Sequence, residues 1–249
     1  MHILLTNDDG IFAPGLAAIY KQLVHLGDVT VVAPTDSQSG ASHSITFFEP
    51  LGCSEVDIKD LFTGYGVHGS PADCVKLAAM QLCDKPIDLV VAGINNGANV
   101  GINVYYSGTV AAAMEAAFLG IPSVAVSLAA EREMHFDKAA EHAIAVIKKL
   151  MPLAKGDVIN INIPRLSQGK PKRLRIVPQA TGGFHEYYIP QKDGDSETVF
   201  QLAGGKPRPE ETPTDTTALV EGHITVTPLR ADMTDHGKTQ ALKARLGDR

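Results

Sequence analysis

MHILLTNDDGIFAPGLAAIYKQLVHLGDVTVVAP, residues 1–34, contains a strand, a helix and a second strand in succession. Residues 2–6 are almost continuously apolar, as in a parallel strand buried on both faces. Residues 14–27 have apolar side chains at helical spacing, a proline in the first turn and a glycine at the end. Residues 28–34 are rich in valine and end at a proline. This arrangement predicts a right-handed crossover between parallel strands.

The alternation of strands and helices continues to about residue 169. Three further strands and two helices are predicted, at residues 87–95, 108–120, 121–128, 135–150 and 157–164. The fold class is therefore α/β: a three-layer αβα, Rossmann-like core with a parallel sheet covered on both faces, over residues 1–169. The first loop, NDDGIFAPG, has acidic residues where a dinucleotide-binding loop has glycines, so NAD binding is not expected.

From about Lys170 the composition changes to one rich in Gly, Pro and Thr. RLRIV, HEYYI, ETVFQLAG and HITVTPL read as β segments, and TDTTALVEG reads as one short capped helix. Residues 170–249 are thus expected to form a β-rich extension: extended hairpins, a late strand added to the core and a C-terminal segment. Such an arm either carries subunit contacts or is a plain surface excursion. With no clear domain break, residues 1–249 are predicted to form a single domain.

Composition limits the classes of partner. The net charge of −6 argues against binding a nucleic-acid polymer or a membrane surface, which both favour basic proteins. The sequence contains neither a stretch apolar enough to span a bilayer nor a secretory signal pattern at its start. The three cysteines, Cys53, Cys74 and Cys83, lack metal-like spacing, so a reduced, cytoplasmic chain is expected.

Polar loops follow three of the predicted strands. Asp8 and Asp9 follow the first strand, residues 35–42 (TDSQSGAS) the second, and residues 95–101 (NNGANVG) the strand at 87–95. Because ligands bind beyond the carboxyl ends of parallel strands, these loops are expected to meet at one edge of the sheet. Two carboxylates with hydroxyl and amide oxygens suit Mg²⁺, Mn²⁺ or Ca²⁺ better than a structural zinc. A shared cation would also explain two adjacent aspartates.

Each loop has a simpler interpretation as well. Asp-Asp-Gly and Asn-Asn-Gly are common turn sequences, and a Ser/Gly-rich loop is usually plain surface. Ser107, Gly108 and Thr109 begin a predicted helix, where free backbone amides can bind phosphate or where Ser107 is simply an N-cap. The metal hypothesis rests on the coincidence of all these loops at strand ends.

Other candidates carry less information. His43, His185 and His236 are candidates for a general acid, although nothing in their spacing distinguishes them from structural histidines. The aromatic residues of GFHEYY (residues 183–188) could stack on a nucleobase or simply pack within a hairpin. The chain lacks the G-x-S-x-G, H-E-x-x-H and G-x-x-x-x-G-K-[ST] motifs, which leaves serine hydrolase, zincin and P-loop activities without support.

Taken together, the motifs resemble those of a known family. ILLTNDDG with APG, VVAPTDSQSGAS, GSPADCV, DLVVAGINNGANVG, YSGTVAAAMEA and TDTTALVEGHITVTPL occur in the order typical of the SurE family. These stationary-phase survival proteins are acid phosphatases that act on nucleoside monophosphates. One departure is Ser70, where the family more usually has threonine, and it exchanges one hydroxyl for another.

The resemblance implies a divalent-metal-dependent 5′-nucleotidase, in some members also a 3′-nucleotidase or a short-chain polyphosphatase. It implies Mg²⁺ or Mn²⁺ as the cofactor, a cytoplasmic location, and a homodimer or homotetramer that exchanges its C-terminal arm. The metal ligands it implies are Asp8, Asp9, Ser39 and Asn95. Asn96 and the turn formed by Ser107, Gly108 and Thr109 would hold the phosphate.

Two mechanisms fit these residues. In one, Asp9 helps to deprotonate an attacking water while Asn96 and the helix start stabilise the phosphoryl oxygens. In the other, Asp8 attacks the phosphorus directly. A non-catalytic nucleotide- or metal-binding regulator is the alternative from another class, and a glycosyl or acyl transferase with strand-end carboxylates is a second.

Overall fold

A computed structural model describes residues 1–193, 197–207 and 212–247. Its strands are β1 (His2–Thr6), β2 (Asp28–Pro34), β3 (Cys53–Ile58), β4 (Phe62–Val67), β5 (Leu89–Asn96), β6 (Ser123–Leu128), β7 (Val158–Ile163), β8 (Lys172–Ile176), β9 (Phe184–Asp193), β10 (Glu197–Pro207) and β11 (His223–Leu229). Its α-helices are α1 (Pro14–Leu23), α2 (Pro71–Leu77), α3 (Gly108–Phe118), α4 (Phe136–Leu150), α5 (Asp215–Val220) and α6 (His236–Leu246).

Within the described residues, nine strands form one sheet in the order β3-β4-β2-β1-β5-β6-β7-β11-β8. The six strands from β4 to β7 in this order are parallel to one another. β1 shows why its apolar run is continuous: Ile3 and Leu5 pack under α1 and α4, whereas Leu4 packs under α2 and α3. Both faces of the sheet are therefore covered, and the predicted three-layer α/β fold is confirmed.

One edge of the sheet was not predicted. β3 and β4 form an antiparallel hairpin, and β4 pairs in parallel with β2. The pattern was hidden because Gly64 and Gly66 interrupt the apolar alternation of β4. Glycine is required at position 64, since a Cβ atom there would lie 2.8 Å from the backbone oxygen of Val31. Close packing against β2 thus requires glycine where an apolar side chain would have indicated a strand in the sequence.

The C-terminal third extends the sheet and projects from it. β11 lies between β7 and β8, antiparallel to β7 and parallel to β8, so the late strand joins the core as predicted, in a sheet that is mixed rather than purely parallel. β9 and β10 form a separate two-stranded hairpin. The helix α6 was not predicted, because it has no apolar stripe and none of its residues is buried. Residues 194–196, 208–211 and 248–249 of the predicted extension lie outside the described residues.

Among the described residues, no helix is long and apolar enough to cross a membrane.

Candidate metal and phosphate site

The loops after β1, β2 and β5 are hydrogen-bonded to one another at the carboxyl edge of the sheet. β1 lies between β2 and β5, so the three loops emerge side by side. The backbone amide of Gln38 donates to the backbone oxygen of Asp8 at 2.7 Å. The backbone amide of Asn96 donates to Oδ2 of Asp9 at 3.0 Å. These two bonds join the loop that carries Ser39 and the end of β5, which carries Asn95, to the aspartate pair.

The turn that carries the two aspartates is shaped by Asn7 and Gly10. The buried side chain of Asn7 donates through Nδ2 to the Gly10 oxygen at 2.9 Å and accepts from the Gly10 amide at 3.2 Å. Gly10 has a φ of +104°, a conformation that side-chain-bearing residues rarely adopt. The turn buries Asp8 and leaves Asp9 half-buried. The two adjacent carboxylates therefore occupy different environments.

Asp8 is only 3% exposed and rests on the first turn of α3. Thr109 donates its amide to Oδ2 at 3.1 Å and its hydroxyl to Oδ1 at 2.5 Å. Burial raises the pKa of Asp8, the hydroxyl bond from Thr109 opposes this rise, and the charge of Asp9 adds to it. A Cβ atom at Gly108 would lie 2.9 Å from the Cβ of Asp8, so a glycine is needed for this close contact.

Asp9 faces a cavity of about 300 Å³. The cavity is also lined by Phe12, Thr35, Asn96 and Phe136, among others. Burial raises the pKa of Asp9, and the amide bond from Asn96 acts against that rise. Asp9 is therefore the member of the pair that meets a space in which a small molecule can bind.

The side chains of Asn95 and Ser39 leave oxygen atoms for a cation. Nδ2 of Asn95 donates to the Gly97 oxygen at 2.8 Å, which orients the amide and leaves Oδ1 as an acceptor. Ser39 is exposed, and its hydroxyl lies 3.1 Å from that of Ser37. Within the described part of the chain, no three His, Cys, Asp or Glu side chains are grouped for metal binding. A set of two carboxylates and two neutral oxygens fits a hard cation such as Mg²⁺ or Mn²⁺ rather than zinc.

The first turn of α3 uses part of its hydrogen-bonding capacity internally. The Ser107 hydroxyl accepts from the Val110 amide at 3.1 Å, so Ser107 is the N-cap that the simpler interpretation predicted. Both donors of Thr109 are bound to Asp8. The first-turn amide of Gly108 has no acceptor within its own helix, because helices lack carbonyl partners for their first amides.

A buried polar network that the sequence reasoning missed supports the loop after β5. The oxygen of Asn99 accepts from Nδ2 of Asn160 at 2.8 Å and from Nδ2 of Asn162 at 3.1 Å. The Asn99 amide donates to Oδ1 of Asn162 at 2.8 Å, and its side chain donates to the Ser127 hydroxyl at 2.9 Å. The two asparagines alternate with apolar residues in the strand VININI, and that pattern was the available signal.

Two of the three candidate histidines, His43 and His236, have carboxylate partners. Nε2 of His43 lies 2.9 Å from Oε2 of the buried Glu115, and its ring stacks on Phe118. Lys76 binds the other oxygen of Glu115 at 2.5 Å. His236 lies on α6 and contacts Asp232, and His185 lies on β9. His43 therefore anchors the loop that follows Ser39 to α3, and Glu115 is a partner that sequence reasoning overlooked.

A second cavity, of about 610 Å³, lies between this loop and the β9–β10 hairpin. Gly40, which follows Ser39, and Tyr106 line one side of it. Tyr187 and Tyr188 of the segment GFHEYY, together with Leu202, line the side formed by the hairpin. Aromatic side chains thus border a space next to the candidate metal site.

Comparisons with known proteins agree with the motifs. Residues 3–186 match the profile of a family described as survival protein SurE. A protein of Rhodopirellula baltica named 5′-nucleotidase SurE is 45% identical over 238 residues, which cover 94% of each chain. One of Desulfitobacterium hafniense with the same name is 43% identical over 248 residues, covering 99% of this chain and 97% of that protein. The solved structure of the SurE protein from Aquifex aeolicus superimposes with a TM-score of 0.85, at 36% identity and complete coverage of both chains.

Proposed function

The chain belongs to the SurE family, and we propose on that premise that it is a divalent-metal-dependent 5′-nucleotidase. It is a phosphoric monoester hydrolase, as the names of its relatives indicate, and its substrates are nucleoside 5′-monophosphates. The observation that carries the proposal is the pairing of Asp8 and Asp9 at the sheet edge, with Asp8 directly against the first turn of α3 and Asp9 bound to the Asn96 amide. A cation-binding carboxylate pair and a phosphate-binding helix start are thereby adjacent.

Asp8, Asp9, Ser39 and Asn95 are the residues proposed to hold the cation. When bound, the cation supplies Lewis-acid chemistry and neutralises charge that develops on the phosphoryl group. Its positive charge would also lower the pKa of both aspartates, which burial raises in the metal-free protein. A bound cation would therefore stabilise the ionised forms of both aspartates, which burial alone disfavours.

Asp9 is the proposed general base, and Asp8 is a ligand rather than a nucleophile. Asp9 borders the cavity and has one oxygen, Oδ1, beyond the Oδ2 atom that binds the Asn96 amide. Asp8 is nearly inaccessible, and both of its oxygens accept hydrogen bonds from Thr109. These contacts favour the attack of water over the formation of an aspartyl-phosphate.

The side chain of Asn96 and the amide of Gly108 are the proposed phosphate donors. Asn96 lines the same cavity as Asp9, and its amide group can donate two hydrogen bonds. The positive end of the α3 dipole adds electrostatic stabilisation near the phosphoryl oxygens. Ser107 caps and orients this helix start, while Thr109 orients Asp8.

The nucleoside is proposed to occupy the cavity bordered by the hairpin. Tyr106, Tyr187 and Tyr188 offer aromatic faces on which a nucleobase can stack. This cavity is lined by Gly40, which follows the proposed metal ligand Ser39. The nucleoside of a nucleotide whose phosphate is at the metal site is therefore proposed to extend into this cavity. This arrangement favours a nucleotide over a small phosphate ester.

We further propose that the chain forms a homodimer or homotetramer through its C-terminal extension. The hairpin pairs only with itself among the described strands and exposes Tyr188, Phe200 and Leu202 by 65%, 64% and 54%. The helix α6 has 11 residues, none buried, and isolated helices of that length are marginal in water. Association with another copy would cover both elements.

The proposed activity is tested by phosphate release from a substrate panel. Purified protein is incubated with 5′-AMP, 3′-AMP, tripolyphosphate and p-nitrophenyl phosphate in Mg²⁺, Mn²⁺, Co²⁺ or EDTA. We expect release from 5′-AMP that requires the cation and is lost in the Asp9→Asn variant. Stabilisation by 5′-AMP without phosphate release would instead identify a regulator, and activity that persists in EDTA would contradict the metal requirement.

A further inference from the structure

The late motif TDTTALVEG contains a buried carboxylate that is hydrogen-bonded to the loop following Asn95, one of the proposed metal ligands. Asp215, the first residue of α5, is completely buried. Its Oδ2 accepts from the Gly101 amide at 3.0 Å, and its Oδ1 accepts from the Ala180 amide at 2.9 Å and the Thr216 amide at 2.7 Å. One side chain therefore joins three separate stretches of the chain.

Asp215 has no cationic partner among the described residues, since none of their ion pairs includes it. Burial raises its pKa, and the amides of Gly101 and Ala180 act in the opposite direction. A buried carboxylate without a counter-ion is costly, and its stability here depends on these backbone donors. The buried position of Asp215 thus allows its carboxylate to hydrogen-bond to two segments that are distant in the chain.

Gly101 ends the loop that follows Asn95 and Asn96, the last two residues of β5. Its oxygen accepts from Nε2 of Gln179 at 2.8 Å, so the C-terminal extension holds both polar backbone groups of this glycine. The middle of the loop is already fixed at Asn99 by the asparagines of β7. The Asn99 and Gly101 contacts therefore hold the middle and the far end of the short segment that leads back to Asn95, and loss of the Gly101 contacts would leave Asn99 as its remaining anchor.

The same carboxylate lies at the base of the hairpin. Ala180 precedes β9 by four residues, and Asp215 follows the end of β10. Its two oxygens thus connect the chain entering the hairpin with the metal-site loop.

We propose that Asp215 is a positioning residue, which holds the loop after β5 so that Asn95 and Asn96 are placed for the cation and the phosphate. This proposal rests on the proposed metal site. Asp215 contacts neither the cation nor the phosphate and acts through its hydrogen bond to Gly101. Gln179 provides a second, weaker hydrogen bond to the same residue.

The variant Asp215→Asn tests the proposal. An amide has one acceptor oxygen, and if that oxygen keeps the bonds to Ala180 and Thr216, its NH₂ group faces the Gly101 amide. We expect the Mn²⁺ affinity of the chelator-treated protein, measured by calorimetry, to fall roughly tenfold. For 5′-AMP hydrolysis at saturating Mn²⁺, we expect a rise in KM larger than the fall in kcat.

Thr214→Ala is the matched control. It removes the N-cap of the same helix, where the Thr214 hydroxyl accepts from the Thr217 amide, without touching Gly101. We expect this variant to lower the melting temperature while leaving the Mn²⁺ affinity unchanged. If Mn²⁺ affinity falls equally in both variants, Asp215 has only a structural role and the proposal is overturned.

A second variant keeps the proposal testable if Asp215→Asn does not fold. Gln179→Ala removes the half-buried side chain that binds the Gly101 oxygen, and we expect a two- to fivefold loss of Mn²⁺ affinity. Because coupling is reciprocal, Mn²⁺ should also slow hydrogen exchange around Ala180 in the wild type. Unchanged Mn²⁺ affinity in Gln179→Ala contradicts the proposal. Failure of the wild type itself to bind Mn²⁺ would instead refute the proposed function.

Discussion

Thr109 donates both its amide and its hydroxyl to the carboxylate of Asp8, although the two residues lie 101 positions apart in the chain. The contact fixes the end of β1 against the start of α3. It keeps a nearly buried carboxylate hydrogen-bonded on both oxygens, and it places that carboxylate beside a helix N-terminus. The orientation of the proposed metal ligand thus depends on the residue that begins the neighbouring helix.

Replacing Thr109 by valine removes the hydroxyl donor while preserving the shape of the side chain. We expect the free energy of unfolding to fall by about 1–3 kcal/mol, because the buried Oδ1 of Asp8 loses its partner. The kcat for p-nitrophenyl phosphate should fall roughly tenfold, since the proposed ligand is no longer oriented. Urea unfolding and steady-state kinetics measure the two effects. Thr109→Ser keeps the hydroxyl and should restore most of both, whereas equal behaviour of the valine and serine variants would disprove this role.

Gly108→Ala tests the close contact between α3 and Asp8. The new Cβ would lie 2.9 Å from the Cβ of Asp8 and 3.1 Å from Cγ of Pro71, so one of these groups must move. We expect kcat to fall roughly a hundredfold. In Gly237→Ala, on the exposed helix α6, the nearest atom to the new Cβ is at 3.5 Å, and activity should be unchanged. Wild-type activity in Gly108→Ala would contradict the geometry described above.

The stability of the metal-free protein should depend on Asp9 in a pH-sensitive way. Burial raises its pKa above the ordinary 3.8, so the folded state binds this proton more readily than the unfolded state. The ionised carboxylate therefore lowers the free energy of unfolding above the folded-state pKa, and this destabilisation is lost as the pH falls through that value. In EDTA, we expect Asp9→Asn to be more stable than the wild type at pH 7.

That advantage should shrink as the pH approaches about 4, where the wild-type carboxyl is increasingly protonated. Saturating Mn²⁺ at pH 7 should reverse the order, because the cation stabilises only the protein that binds it. Melting temperatures at several pH values, with EDTA or Mn²⁺, provide the measurement. A wild type that remains the more stable protein in EDTA at pH 7 would contradict the inferred effect of burial.

The β9–β10 hairpin should control assembly. Phe200→Asp places a charge on its exposed apolar surface, and we expect sedimentation velocity to show a shift towards monomer. Ser54→Asp adds the same charge on β3, away from the hairpin, and should leave the assembly intact. If Phe200→Asp sediments like the wild type, the hairpin does not hold the subunits together.

The sequence is most informative where local chemistry sets local structure. The run Ile3, Leu4, Leu5 predicts a strand covered on both faces, and the structure buries these side chains in two cores. The capped helix in TDTTALVEG was likewise predictable, because Thr214 forms the N-cap that its sequence suggests. The β3–β4 hairpin was not, since close packing against β2 places glycine where a strand normally carries an apolar side chain.

Contacts over long sequence separation were beyond the reach of local patterns. The order of Asp8, Asp9 and Gly10 predicts a polar turn, but nothing in it indicates that Thr109 will donate to Asp8. The buried asparagines of VININI predict a polar partner without identifying it as Asn99. His43 was a candidate general acid, and its pairing with Glu115 emerges only once α3 is positioned beside the loop.

The most direct measurement is anomalous diffraction from crystals of the wild-type protein soaked in MnCl₂. We expect one strong manganese peak bounded by Asp8, Asp9, Ser39 and Asn95, and no such peak in crystals of Asp9→Asn. A wild-type map without a peak at this position, or with its only peak elsewhere, would contradict the claim that the aspartate pair is a cation site.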